Sequence, residues 1–112
     1  MEREARRRKL RTMALAELAH TRDLPPPARL AAQAALLRKI AIASGGPDDG
    51  WRQGEAWLRT LDRLFATSFF SQGAGRVFGP TLYKARDVPG IGELDRELTG
   101  LFTHLKPRRV GK

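Results

Sequence analysis

The strongest constraint on the fold is the apolar pattern of residues 51–70, which read WRQGEAWLRTLDRLFATSFF. At about 100° per residue, the large apolar side chains fall within one arc of roughly 160°, as in a helix that packs on one side only. These side chains are Trp51, Trp57, Leu58, Leu61, Leu64, Phe65 and Phe69. The pattern predicts a helix over 51–70 whose apolar face is covered by other elements.

Three further helices are predicted. Residues 3–20 lack proline and glycine and carry apolar residues at helical spacing, while residues 27–43 are apolar around most of the helix and predict a central element. Prolines 25–27 separate the two, because proline lacks the amide donor that a helix interior requires. The last helix is predicted over 91–105 and is ended by Pro107.

The least regular stretch is 71–84, SQGAGRVFGPTLYK, in which closely spaced glycines predict a loop or tight turn. Residues 76–78 and 82–83 could pair briefly as strands. A dinucleotide site requires its glycines between a strand and a helix, whereas a helix precedes these, so we expect no cofactor. The loop amides and Arg76 could bind an anion; the alternative is a plain turn.

The expected fold is all-α: a single-domain bundle of about four helices with an irregular Gly/Pro-rich segment before the last one. A length of 112 residues suits one domain over 1–112, with a basic helical arm at 1–12 and a loose basic tail at 106–112. The predicted core consists of Trp57, Leu61, Leu64, Phe65, Leu37, Ile40, Leu98 and Phe102.

The charge balance indicates the class of partner. Lys and Arg number 21 against 12 Asp and Glu, a net charge of +9. Such an excess attracts polyanions, with nucleic acid first and an anionic membrane surface second. Apolar residues are sparse in the first two helical turns, so we expect no membrane partner. An arginine-rich composition set by the genome would give the same balance.

The first candidate contacts are Arg52, Arg59 and Arg63, which fall opposite the apolar arc within about 40° of one another. Such a stripe could follow a phosphate backbone. The alternative is an ordinary helix that exposes its arginines to water.

The second candidate contacts lie in the basic arm, at Arg6, Arg7 and Arg8. The arm could fold on a nucleic acid or on an acidic partner. The alternative is a solvated helix, because Glu4 precedes Arg8 by four residues and stabilises a helix in isolation.

The tract VPGIG, residues 88–92, resembles the hairpin of helix-hairpin-helix DNA-binding motifs. The resemblance implies a turn formed by Pro89, Gly90, Ile91 and Gly92, in which Ile91 anchors the turn. Its exposed amides, with the dipole of the following helix, would bind a backbone phosphate without reading bases. The alternative is a proline-glycine turn that opens an ordinary core helix.

Residues suited to catalysis are few. The chain has no cysteine, and its two histidines, His20 and His104, lack metal-ligand spacing. No serine lies in a nucleophile elbow, so we expect no enzyme activity and no metal. The missing cysteines fit a reducing compartment, and the charged start does not resemble a secretory signal, so we expect a cytoplasmic protein.

Two functions follow. The first is a small, non-enzymatic nucleic-acid-binding protein that contacts backbone phosphate, as an accessory or regulatory subunit of a larger nucleoprotein complex. The second is an interaction adaptor or inhibitor whose basic face docks on an acidic protein. Most aromatic residues, including Trp57, Phe65 and Phe69, are expected to pack in the core. Trp51, Phe78 and Tyr83 are left as residues that could stack on bases, so stacking on single strands is not strongly indicated.

Overall fold

The computed structural model of this chain describes residues 2–45, 52–79 and 90–105, with side chains from Arg8 onward. Over these ranges the secondary structure is helical and includes no strand, which confirms the all-α class. The elements are α1 Glu2–Thr21, α2 Pro26–Gly45, α3 Gly54–Phe65, α4 Phe69–Gln72, a 3-10 helix Ala74–Phe78, and α5 Ile91–Thr103. The predictions for Trp51, Pro89, the strand at 82–83 with Tyr83, and the tail 106–112 lie outside the described residues.

The turn between α1 and α2 follows the sequence closely. The Thr21 hydroxyl donates to the carbonyl oxygen of Leu18 at 2.6 Å and closes the last turn of α1. Pro26 and Pro27 then occupy the first turn of α2, where no intrahelical donor is needed. The two long helices pack against each other, and α5 packs on α1.

Helix α3 ends earlier than predicted. Ala66 adopts the left-handed conformation with φ 53°, its amide donates to the Arg63 carbonyl, and the Thr67 amide donates to the Asp62 carbonyl. This pair of bonds is a Schellman motif, which normally uses glycine at the left-handed position. The predicted helix over 51–70 is therefore wrong at both ends: α3 begins at Gly54, and Phe69 belongs to α4.

The Asp62 side chain holds the short helix that follows. Its carboxylate accepts hydrogen bonds from the Phe70 amide, at 2.9 Å, and from the Ser71 hydroxyl. A carboxylate near the first amides of a helix satisfies donors that lack an intrahelical partner. Asp62 thus fixes α4 against the end of α3.

The strand predicted at 76–78 is wrong, because these residues form the end of the 3-10 helix. Phe78 is 2% exposed and its ring centroid lies 6.3 Å from that of Phe70, so it is a core residue and not a stacking group. Phe65 lies between Phe70 and Phe102, at 5.7 Å and 5.6 Å from their ring centroids. An aromatic cluster therefore joins α3, α4, the 3-10 helix and α5.

The predicted core is confirmed. Seven of its eight members are buried, and Leu64 packs partly buried against them. The structure adds to this set of eight the buried residues Ala14, Leu18, Leu30, Leu58, Phe70 and Phe78, of which Leu58 lies on the predicted apolar arc of α3.

Two glycines should respond oppositely to alanine. A Cβ at Gly75 would lie 2.8 Å from the Phe69 ring and 2.9 Å from the Phe70 ring, whereas a Cβ at Gly92, inside α5, meets nothing within 4 Å. We expect Gly75→Ala to lower the free energy of unfolding by about 1–3 kcal/mol through overpacking. Gly92→Ala should raise it by about 0.5–1 kcal/mol, because alanine is the better helix former. Urea unfolding followed by circular dichroism measures both, and a neutral Gly75→Ala would contradict the close packing of the rings.

Candidate nucleic-acid interface

One face of α3 is buried and the opposite face carries arginines. Trp57, Leu61 and Phe65 are at most 8% exposed, while Arg59 and Arg63 are exposed. The two arginines are four residues apart, so they lie on adjacent helical turns with their Cβ atoms about 6 Å from each other. Within the described part of the chain, no carboxylate forms a salt bridge with Arg59 or Arg63. Arg63 donates a hydrogen bond to the Thr60 hydroxyl at 3.4 Å. These two guanidinium groups form the centre of the candidate interface.

Arg52 does not lie on the helix stripe, because it precedes the first residue of α3. It is exposed, and its carbonyl oxygen accepts a hydrogen bond from Arg38 Nη1 at 2.9 Å. The Arg38 guanidinium also lies over the Trp57 ring, 4.3 Å from its centre, in cation–π geometry. Arg38, which was not predicted from the sequence, therefore holds the backbone just before α3. It also adds a cation beside the first turn of α3.

Arg76 is engaged within the chain. Its guanidinium forms an ion pair with Glu55, in the first turn of α3, and Nη1 also donates to the Ser71 carbonyl oxygen. Both members of the pair are about half exposed. The structure thus brings Arg76 to the α3 face, as part of an ion pair rather than as the open loop cation that the sequence suggested. The 3-10 helix also uses the amides of Arg76 and Gly79 internally.

The same pair affects the titration of Glu55. The hydrogen bond from Arg76 holds the pKa of the Glu55 carboxyl below its ordinary value, and the positive charges of Arg76 and Arg59 act in the same direction. Because this pKa is lowered in the folded chain, the pair stabilises the fold above the ordinary glutamate pKa. That contribution is lost as the pH falls through the lowered value.

The arm arginines lie on a different helix. Arg8 is exposed on α1, and with Lys9, Thr12 and Met13 it lines an open groove. Arg11, by contrast, turns inward and its Nη1 donates to the Leu105 carbonyl oxygen at 3.3 Å. The side chains of Arg6 and Arg7 lie outside the described residues.

Residues 90–92, the described part of the VPGIG tract, open the core helix α5. Gly90 has φ 74° and caps the start of α5, where the Leu94 amide donates to its carbonyl oxygen at 2.8 Å. Gly92 lies inside α5, and its backbone does not adopt the left-handed conformation. Leu94 and Leu98 then point into the core. Residues 90–92 therefore have the geometry of a glycine cap at the start of a helix.

A buried carboxylate joins the α1–α2 turn to α5. Asp95 is 4% exposed, and it accepts hydrogen bonds from Arg22 Nε at 2.9 Å and from Arg29 Nη2 at 2.8 Å. Arg22 also donates to the Thr99 hydroxyl at 3.3 Å. The helical position of Asp95, beside Leu94 and three residues before Leu98, places it on the buried side of α5.

Other kinds of site find little support in the described residues. The aromatic side chains in these ranges are buried or partly buried, so the described surface offers no exposed stacking ring. No three His, Cys, Asp or Glu side chains of the described part group to hold a metal ion. No helix found there has both the length and the apolar content to cross a membrane.

The fold and the site define a small all-α domain with a one-sided helix that exposes arginines. The chain belongs to the family described as "Domain of unknown function (DUF4381)", whose model matches residues 1–106. Comparison with curated proteins and with solved structures gave no match. The family match includes the VPGIG tract and no helix-hairpin-helix family was found, so the suggested resemblance is wrong. Gly90 and Gly92 are therefore not assigned to a phosphate-binding hairpin.

The buried ion cluster should matter more for stability than a surface pair. We expect Asp95→Asn to lower the free energy of unfolding by about 3 kcal/mol or more, because Arg29 would keep a largely buried charge without its counter-ion. Glu17→Gln removes the exposed pair with Lys39, whose Nζ lies 3.0 Å from the carboxylate, and should cost less than about 1 kcal/mol. Urea unfolding at neutral pH measures both; equal small losses would contradict the structural role of Asp95.

Proposed function

We propose that this domain binds the phosphate backbone of nucleic acid through the exposed face of α3. The observation that carries the proposal is the pair Arg59 and Arg63, exposed on adjacent turns and without a salt-bridge partner among the described residues. In this proposal the protein is not an enzyme. It acts as an accessory or regulatory subunit of a larger nucleoprotein complex.

The chemistry of the face suits phosphate. A guanidinium presents a planar fork of donors that matches phosphate oxygens, and the packing of α3 against the core fixes the backbone positions from which the two arginines extend. The net charge of +9 adds long-range attraction to a polyanion. Contacts of this kind position a protein on a strand and carry no base specificity. The absence of cysteine fits a reducing compartment, and we place the protein in the cytoplasm.

A second candidate function is an adaptor whose basic face docks on an acidic protein. The observation that favours it is Glu55, which lies one turn before Arg59 and places a negative charge on the same face. A carboxylate repels phosphate, whereas a protein partner with acidic and basic side chains could match both signs. A complex with a purified acidic partner that persists after nuclease treatment would favour this function.

The proposal predicts that reversing the two charges abolishes binding. The double variant Arg59→Glu with Arg63→Glu should lose at least about 100-fold in affinity for duplex DNA at about 50 mM salt, since two phosphate contacts become repulsive. Fluorescence anisotropy with a labelled duplex measures the affinity. Far-UV circular dichroism should stay unchanged, because both side chains point to solvent.

A matched control separates local contact from overall charge. Lys39→Glu with Arg96→Glu changes the net charge equally at two exposed positions, each in a surface ion pair. This control should lose less than about tenfold, because distant charges are screened. Equal losses in the two double variants would show that α3 is not the contact face, and unchanged binding would contradict the assignment of Arg59 and Arg63.

A further inference from the structure

The structure holds a third arginine at the α3 face by a carboxylate of the same chain. Arg76 Nη2 pairs with Glu55 Oε1, and Arg76 Nη1 lies 3.5 Å from Glu55 Oε2. Two guanidinium nitrogens thus face two carboxylate oxygens. This arrangement is the one in which a guanidinium also binds a phosphate.

Glu55 lies in line with the proposed contacts. Glu55, Arg59 and Arg63 are separated by four residues each, so they occupy successive turns on one face of α3. The positive charge of Arg59 also helps to lower the pKa of the Glu55 carboxyl. A phosphate backbone that follows Arg63 and Arg59 would next meet the Glu55–Arg76 pair.

Arg76 is also held in place independently of Glu55. Its Nη1 donates to the Ser71 carbonyl oxygen at 2.5 Å, and Ser71 is itself bonded to the Asp62 carboxylate. The guanidinium therefore keeps an anchor if the carboxylate leaves. Both members of the ion pair are about half exposed, and exposed ion pairs are individually weak. A backbone phosphate can replace Glu55 without any change in the core.

We propose that Glu55 is an internal competitor for phosphate, which occupies the fork of Arg76 until a nucleic-acid backbone displaces it. The inference rests on the proposed function of the α3 face. In the free protein the face offers Arg59 and Arg63, and Glu55 lowers its attraction for isolated anions. On a polyanion the displaced carboxylate leaves Arg76 as a third contact. Glu55 thereby favours an extended phosphate backbone over single phosphate or carboxylate groups.

The test is Glu55→Gln, which removes the competing charge and keeps the shape of the side chain. With labelled duplex DNA at about 50 mM salt, we expect affinity to rise roughly tenfold, because no carboxylate has to be displaced, while the slope of log affinity against log salt stays that of the wild type, because Arg76 contacts a phosphate in both complexes. The control is Glu17→Gln, which makes the same charge change at the exposed pair with Lys39. It should raise affinity by less than about threefold and leave the slope unchanged, because its charge is screened.

A second variant tests the role of Arg76. In Glu55→Gln combined with Arg76→Gln, the slope should become shallower than that of the wild type by about 0.9, the value for one lost phosphate contact, because the third cation is gone. If the wild type binds and Glu55→Gln behaves like Glu17→Gln, the inference is overturned while the proposed function stands. If the slope stays that of the wild type without Arg76, the assigned competitor site is wrong. If none of the variants nor the wild type binds nucleic acid, both the inference and the proposed function are overturned.

Discussion

Burial of Trp57, Leu61 and Phe65 fixes the rotation of α3 about its axis, and the rest of the structure depends on it. Full burial of a large apolar side chain contributes about 1.5–3 kcal/mol, far more than any surface charge contact can oppose. With this face inward, Arg59 and Arg63 must point to solvent. Ring contacts of Phe70 with Phe65 and Phe78 pack α4 and the 3-10 helix against α3. This packing brings Arg76 beside Glu55.

A second set of contacts between helices is made by charged groups. Asp95 carries a buried charge that Arg22 and Arg29 neutralise, and together they connect the α1–α2 turn to α5. Arginines in this protein therefore lie in two different settings. Those around Asp95 join helices through ion pairs, whereas Arg59 and Arg63 on α3 are exposed.

The helices and most of the core could be predicted from the sequence, because apolar side chains recur at helical spacing over long stretches. The end of α3 at Phe65 could not, since an alanine takes the left-handed position where glycine is the usual signal. The pairing of Arg76 with Glu55 joins residues 21 positions apart, and no local pattern reports it. The burial of Gln33 could not be predicted either. This glutamine is fully buried, although it is a polar residue in a helix that is otherwise apolar around most of its circumference. The VPGIG tract was misinterpreted because a glycine cap and a phosphate-binding hairpin can have the same short sequence.

Phosphate binding by the wild-type domain is the central claim, and its salt dependence tests that claim most directly. Labelled duplex DNA, single-stranded DNA and RNA would each be titrated with the protein from about 50 to 200 mM salt and followed by fluorescence anisotropy. We predict that log affinity for the duplex falls linearly with log salt, with a slope of about −2 or steeper, as two or more neutralised phosphates require. Absence of binding to all three at the lowest salt would contradict the claim and direct the search to an acidic protein partner.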